Sequence, residues 1–219
     1  MKTLAIVSRK GGAGKTTIAV HLAVAAEAHG LATAIFDLDP QASAALWSDH
    51  RGQLVPAVVP AQAPRLGALL EQARAQDTDF VIIDTAPHAD GMASEAAAQA
   101  DAILIPCRPS SFDLDAVGAS VRLARNVGKP AFIVINAAPV QGSETEEMSA
   151  AIAAAGVELC PVVLHQRKAF SSRIHEGLTA HEIEPKGKAA AETLGLFLWV
   201  CEKVNMLPRQ QVTKLAISA

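Results

Sequence analysis

Near its amino terminus the chain carries a stretch rich in glycine and lysine, residues 8–17, with the sequence SRKGGAGKTT. The apolar run at residues 4–7 precedes this stretch, and residues 18–23 after it have the composition of a helix. A glycine-rich turn between a strand and a helix directs successive backbone N–H groups at one anion, and the helix dipole adds positive potential. This order of elements predicts a phosphate-binding loop.

The residue types inside the loop fit nucleotide chemistry. Glycines permit backbone angles and a close ligand approach that a Cβ would block. Lys15 is placed to reach the β- and γ-phosphates of a nucleotide, and the hydroxyl of Thr16 to ligate Mg²⁺. Incidental lysines in a glycine-rich turn are the alternative, which this spacing of two lysines, three glycines and two threonines disfavours. The predicted nucleotide-binding residues are Lys10, Gly11, Gly12, Ala13, Gly14, Lys15, Thr16 and Thr17.

Carboxylates follow two later apolar runs. Asp37 and Asp39 are separated by one residue, and close to a magnesium-bound phosphate they can orient water and support the metal shell. Asp84 ends the apolar run at residues 80–83, where it can hold Mg²⁺ directly or through water. The alternatives are a cap for a helix starting near Ser43 and a strand-terminal aspartate without a catalytic role.

Short apolar runs alternate with longer amphipathic stretches along the chain. Such runs are typical of strands buried on both faces of a parallel sheet, and their alternation with helices indicates βαβ units. The clearest helices are at residues 64–76, 113–127 and 188–204, whereas residues 52–64 resemble a surface loop. We therefore predict one α/β domain over residues 1–219, a mostly parallel twisted sheet with helices on both faces. The predicted strands are residues 4–7, 34–36, 80–83, 102–105, 132–135 and 162–164.

Composition excludes several classes of protein. Half of the 219 residues are hydrophobic, yet no apolar run approaches the roughly 20 residues that span a bilayer. The three cysteines are far apart without a C-x-x-C pair, which argues against a metal or disulfide framework and fits a reducing cytoplasm. Residues 160–219 carry 8 basic against 5 acidic residues, whereas residues 1–159 carry 11 against 17. A basic final quarter can bind a polyanion locally, although a solvated mixed-charge surface fits equally.

The loop departs from the common phosphate-loop pattern at one position, and this departure indicates which family of nucleotide-binding proteins the chain resembles. The pattern G-x-x-x-x-G-K-S/T requires glycine where this chain has Arg9, and the chain instead has a second lysine, Lys10. This form resembles the deviant Walker A box of the ParA/MinD ATPases. Residues 37–41 (DLDPQ) and 84–87 (DTAP) resemble two further boxes of that family. The whole chain is similar to small ParA-like partition ATPases without an N-terminal helix-turn-helix, a resemblance that implies the P-loop NTPase fold.

The resemblance also implies roles for individual residues. Lys10 reaches across a dimer interface to the partner's nucleotide, Lys15 contacts the phosphates, and Asp39 positions the attacking water; these three are the implied catalytic residues. Asn136 follows a predicted strand, and its amide suits a purine edge, although an Asx turn is an equal alternative. By the resemblance Asn136 binds adenine, so the cofactors are ATP and Mg²⁺. The implied magnesium ligands are Thr16, Asp39 and Asp84.

The resemblance implies partners as well: an ATP-dependent homodimer, double-stranded DNA bound without sequence preference, and a centromere-binding or cargo adaptor protein that stimulates hydrolysis. Such a protein is cytoplasmic and nucleoid-associated. Positioning of a protein cargo, or MinD-like membrane association, stays open, but the tail at residues 209–219 has two cations and no bulky aromatic, so membrane binding is disfavoured. The expected DNA-binding residues are Lys168, Arg173, Lys186, Lys188, Lys203, Arg209 and Lys214.

Overall fold

A parallel sheet lies at the centre of the computed structural model, which describes residues 1–87 and 89–209, without the side chains of residues 111–115. Within these residues the sheet has seven strands in the order β3-β2-β4-β1-β5-β6-β7, and all neighbouring pairs are parallel. The strands are β1 Lys2–Ile6, β2 Thr33–Asp37, β3 Ala57–Pro60, β4 Phe80–Asp84, β5 Ala102–Cys107, β6 Ala131–Ile135 and β7 Glu158–Leu159.

Helices cover both faces of this sheet. One face is covered mainly by α1 and α8, which pack side by side, and the other by α3, α4, α5 and α6. The helices are α1 Lys15–Ala28, α2 Ser43–Arg51, α3 Leu66–Ala75, α4 Asp90–Gln99, α5 Ser111–Asn126, α6 Glu144–Ala154, α7 Ala180–Ile183 and α8 Lys188–Lys203.

The apolar strands are buried on both faces because successive side chains point to opposite sides of a sheet. In β1, Leu4 and Ile6 pack with α1 and α8, whereas Ala5 packs in the opposite layer with Leu66 and Leu70 of α3. All five are fully or almost fully buried. The predicted α/β fold with helices on both faces is therefore confirmed.

The predicted strand at residues 162–164 is wrong. After α6, the chain pairs with the free side of β6 through β7, and the next contact is a hydrogen bond from Cys160 N to the Ile133 carbonyl, 2.7 Å. Pro161 then has no N–H to continue the ladder. Residues 162–164 run on irregularly beside β6, and Leu164 N donates to the Ile135 carbonyl at 2.9 Å.

The prediction of a surface loop at residues 52–64 is wrong where β3 forms. This strand pairs with β2 on one side only and is the edge of the sheet. Its residues are half-buried or exposed, so they lack the continuous apolar pattern of the central strands. Pro56 just before the strand and Pro60, its last residue, also give the segment the composition of a turn.

Candidate functional site

Apart from Asn136, which follows β6, the predicted site residues meet at the carboxyl ends of three adjacent strands, β2, β4 and β1. Ile6 at the end of β1 is the register partner of Asp84, and Asp84 is the register partner of Asp37. The glycine-rich loop begins directly after β1 and leads into α1 at Lys15. Ligands of open parallel sheets bind beyond this edge, so the fold concentrates loop and carboxylates in the expected place.

The loop requires glycine at Gly14. Its φ of 91° is in the left-handed region, and a Cβ there would lie 2.2 Å from Nδ2 of Asn136. That Nδ2 atom donates a 2.7 Å hydrogen bond to the Ala13 carbonyl. Asn136 therefore fastens the loop to the end of β6, and its adenine contact stays a prediction.

Lys15 is a buried cation inside the loop, with a side chain that points back along it. Its Nζ donates to the Ser8 carbonyl at 3.2 Å, and the residue is 6% exposed. Burial lowers the pKa of Lys15, while the carboxylates of Asp84 and Asp39 act in the opposite direction. Lys10 is half-buried, and its backbone N–H donates to Ser8 Oγ at 3.3 Å. Lys15 thus lies close to the carboxylates of Asp84 and Asp39.

Thr16 and Asp84 form the candidate magnesium site. Thr16 Oγ1 donates to Asp84 Oδ2 at 2.6 Å, and Asp84 is completely buried. Its other oxygen, Oδ1, has no hydrogen-bond partner among the residues that the structure describes. Burial raises the pKa of Asp84 to about 7, although the Thr16 hydrogen bond opposes this. A buried carboxylate oxygen without a donor, beside a hydroxyl, fits Mg²⁺, which takes oxygen ligands and usually only one or two carboxylates.

Replacing Asp84 with asparagine is expected to stabilise the protein without magnesium and nucleotide by about 1–3 kcal/mol at pH 7.5. Because the native pKa of Asp84 is raised, the folded state holds the proton more tightly than the unfolded chain. The free energy of unfolding therefore decreases as the pH rises from about 4 to about 7. Asp84→Asn should lack this decrease. Denaturant titrations across this pH range test it.

The exposed Asp49 provides the control for this experiment, because Asp49→Asn removes a carboxylate that water already solvates. Its pH profile should match that of the unmodified protein. A profile of Asp84→Asn that keeps the full wild-type decrease would contradict the assignment of a costly buried charge.

The carboxylate of Asp37 fixes the backbone between the end of β2 and the start of α2. Its Oδ1 accepts from Asp39 N at 3.0 Å, and its Oδ2 accepts from Ala44 N and Ala45 N at 3.0 and 3.1 Å. The helix-cap alternative thus describes Asp37, which satisfies amides at the start of α2. Asp39 is half-buried, accepts from Gln41 N at 2.9 Å through Oδ1, and lies close enough to influence Lys15.

His21 joins α1 to α7, a contact that sequence analysis does not predict. Its Nε2 accepts from Ala180 N at 3.1 Å, so the proton is assigned to Nδ1, which donates to the Thr17 carbonyl at 2.7 Å. The ring also meets Phe170 edge-on. Burial lowers the pKa of His21 to about 4, which keeps the acceptor nitrogen neutral.

Arg51 joins the end of α2 to the same part of the chain. Its guanidinium, 5% exposed, donates to the Gly177 carbonyl at 2.8 Å and forms a two-point contact with the Glu182 carboxylate at 2.8 and 3.0 Å. The same carboxylate accepts from the N–H and hydroxyl of Thr179. A Cβ on Gly177 would lie 2.2 Å from the Arg51 Cα, so the backbones are in direct contact.

The expected DNA-binding residues divide between the two ends of the sheet. Lys203 pairs with Glu158 at the start of β7, and Arg209 pairs with Asp79 just before β4, so both lie at the amino ends of the strands. Lys168, Lys186 and Lys188 are exposed, and Lys188 begins α8, whose next turns pack against the start of α1 near the phosphate loop. Arg173 is exposed and paired with Glu176. Lys214 lies outside the described residues.

Two curated proteins are similar over nearly the whole chain. Maintenance of carboxysome distribution protein A from Halothiobacillus neapolitanus is 27% identical over 204 residues, which cover 90% of this chain and 94% of that protein. Protein ParA from Rhizobium radiobacter is 27% identical over 202 residues, which cover 87% of this chain and 90% of that protein.

Solved structures share the fold at lower identity. The septum site-determining protein MinD from Pyrococcus horikoshii, in complex with Mg-ADP, has a TM-score of 0.76 at 21% identity and covers 91% of this chain and 95% of its own. A McdA variant from Cyanothece in complex with ATP has a TM-score of 0.75 at 16% identity, and the match covers 97% of this chain and 99% of that chain.

The family described as the CobQ/CobB/MinD/ParA nucleotide binding domain matches residues 4–180. This span includes the phosphate loop, the Asp37 and Asp84 boxes and Asn136. The predicted family is confirmed: the chain belongs to the CobQ/CobB/MinD/ParA nucleotide-binding family.

Proposed function

We propose that the protein is a Mg²⁺-dependent ATPase that dimerises with ATP, binds double-stranded DNA without sequence preference, and hydrolyses ATP to segregate plasmid or chromosome cargo. The observation that carries the proposal is the assembled site, in which a buried Lys15 and the Thr16–Asp84 pair stand beside a glycine loop with a second lysine. The similarity to ParA from Rhizobium radiobacter supports it.

Each residue of the site has a part in the proposed hydrolysis. The loop N–H groups and Lys15 bind the phosphates, and Asn136 is proposed to contact the adenine. Thr16 and Asp84 would hold Mg²⁺, with Asp39 nearby; bound there, the metal neutralises charge on the β- and γ-phosphates. Asp39 orients the attacking water. Its backbone N–H donates a hydrogen bond to Asp37, which keeps Asp39 in position. Hydrolysis is proposed to be slow until an adaptor protein binds.

Dimerisation is the step that distinguishes this proposal from a plain nucleotide-binding domain. ATP would select the dimer by supplying contacts that the monomer lacks, with Lys10 of each subunit directed at the partner's phosphates. Light scattering with ADP, with ATP, and with ATP plus DNA tests it directly. Dimers are expected only with ATP, and DNA-bound particles only with both. A monomer in all three conditions would overturn the proposal.

The exposed lysines near the site end of the molecule are the proposed DNA contacts, because Lys203 and Arg209 are already paired with carboxylates. The double variant Lys186→Ala/Lys188→Ala is expected to weaken ATP-dependent DNA binding about 10-fold at 0.1 M salt. It should also lower the slope of log affinity against log salt by about 2 per subunit, or about 4 for the dimer, since each lost phosphate contact removes about 0.9. Fluorescence anisotropy with random-sequence duplexes at several salt concentrations measures both.

The matched control is Lys203→Ala/Arg209→Ala, which removes the same charge from the opposite end of the sheet. Its salt slope should stay that of the unmodified protein. Equal losses in the two double variants would mean that binding follows net charge and not this surface.

Positioning of a protein cargo on the nucleoid is the second candidate. It is favoured by the similarity to a protein named for carboxysome distribution, at the same 27% identity as ParA. Both functions use the same nucleotide and DNA chemistry, so affinity purification of the ATP-bound Asp39→Ala protein separates them. Co-purification of a DNA-binding adaptor indicates DNA partition. Co-purification of a protein assembly without such an adaptor indicates the second candidate.

Membrane association of the MinD kind is not part of the proposal. Among residues 1–87 and 89–209, no helix has the length and hydropathy to cross a bilayer. The tail beyond Arg209 lies outside the described residues. Co-sedimentation with anionic liposomes in the presence of ATP is the test, and the expected result is no binding.

A further inference from the structure

Arg108 lies beside the phosphate loop, although no motif assigns it a role. It directly follows β5, the neighbour of β1 on the side away from Asp84, and is therefore at the same carboxyl edge of the sheet as the loop. A Cβ on Gly12 would be 3.8 Å from Nη2 of Arg108, so the guanidinium stands next to the loop. Since Gly12 has no side chain, nothing from that residue separates the guanidinium from the loop backbone.

The guanidinium of Arg108 makes no hydrogen bond or ion pair within the part of the chain that the structure describes. Arg9, at the start of the same loop, is instead paired with Asp90 at 3.2 Å, and Arg51 is paired with Glu182. Arg108 is exposed beside a loop that also contains two lysines, and a bound phosphate would give its guanidinium an anionic partner. The arrangement is favourable when the loop holds a phosphate.

We propose that Arg108 binds phosphate oxygens of the nucleotide held by the loop of its own subunit. An arginine presents five N–H donors in a planar fork that matches two phosphate oxygens, and such charge-assisted pairs are among the stronger hydrogen bonds. The loop N–H groups of a phosphate loop surround the α- and β-phosphates. Arg108, which lies beside that part of the loop, therefore contacts groups present in both ADP and ATP. The proposal deepens the proposed function and rests on its nucleotide site.

Titration of the full-length protein with Mg-ADP and Mg-ATP by calorimetry tests this contact. Arg108→Ala is expected to weaken both nucleotides about 10- to 100-fold, the range for one lost hydrogen-bonded contact to a charged group. Arg108→Lys keeps the charge but loses the fork, and should weaken both about 3- to 10-fold. Arg125→Ala, an exposed arginine in the last turn of α5, removes equal charge far from the loop and should change neither affinity more than about twofold.

Unchanged ADP affinity in Arg108→Ala overturns the proposal. If Arg108→Ala keeps its ADP affinity but no longer dimerises with ATP, the guanidinium contacts the partner's nucleotide, and the contact within the subunit is rejected. Lys15→Ala is the reference: if it abolishes ADP binding while Arg108→Ala does not, the proposed function stands and only the Arg108 contact fails. Should Arg108→Ala not fold, wild-type ADP affinity in Arg108→Lys overturns the two-point contact.

Discussion

Asp39→Ala is expected to lower the rate of ATP hydrolysis by about 100-fold or more while ATP-bound dimers persist. Positioning a water or removing its proton contributes about 10²–10⁴ in rate, and Asp39 is the half-buried carboxylate of the site that stands outside the Thr16–Asp84 pair. The affinity for ATP should change little, because in the proposed site the loop and Lys15 hold the phosphates. Phosphate release at saturating ATP, together with the lifetime of the dimer in sizing experiments, measures both effects.

Asp49→Ala is the matched control for this prediction, since Asp49 is an exposed aspartate of α2, the helix that follows Asp39. It should hydrolyse ATP at the unmodified rate. Wild-type turnover in Asp39→Ala would contradict the assignment of Asp39 as the hydrolytic residue, and loss of the dimer would show that Asp39 also supports assembly.

Lys10→Ala is expected to weaken the ATP-dependent dimer about 1,000-fold or more while leaving ATP binding by the monomer measurable. The dimer loses two buried charge contacts, one from each subunit, and each costs about 2–5 kcal/mol when one partner is truncated. Lys15, which is buried inside the loop, continues to serve the subunit's own nucleotide. Light scattering over a range of protein concentrations gives the dimer affinity, and a fluorescent ATP analogue gives nucleotide affinity.

Arg9→Ala is the neighbouring control. Arg9 is a cation of the same loop whose partner is Asp90 of its own chain, so its removal should leave the ATP dimer within a few-fold of normal. If Lys10→Ala dimerises as well as Arg9→Ala does, the role of Lys10 across the interface is rejected. Equal loss of ATP binding and dimerisation would instead place Lys10 on its own nucleotide.

The central strands and the loop were predictable because both follow from local patterns. An apolar run of four or five residues is sufficient to indicate a strand buried on two faces, and β1, β4 and β6 have that pattern. Asp84 was predictable for the same reason, since it ends such a run. The edge strands β3 and β7 lack the pattern: β3 is half-exposed and ends in Pro60, and β7 is two residues long and is followed closely by Pro161.

Contacts between distant residues could not be predicted from one sequence. His21 meets Ala180 across 159 positions, and Arg51 meets Glu182 across 131, and neither pair has a local signature. The same limit applies to the basic residues, because a sequence shows their charges but not their partners. Lys203 and Arg209 form ion pairs at the end of the sheet opposite the candidate site. Arg108 had one available signal in the sequence: it directly follows the buried strand β5, much as Asp84 ends the buried strand β4.

The two anchors of the segment after β7, His21 and Arg51, restrict how homologous proteins can be recombined. A chimera that imports residues 168–188 from a relative, to exchange its surface lysines, brings foreign atoms against both anchors. The donor segment must present a backbone N–H to His21 Nε2, an acidic group to Arg51, and glycine at position 177. Exchanges of this segment that keep these three features should fold, whereas loss of the acidic group would leave the buried guanidinium of Arg51 without its carboxylate partner at the end of α2.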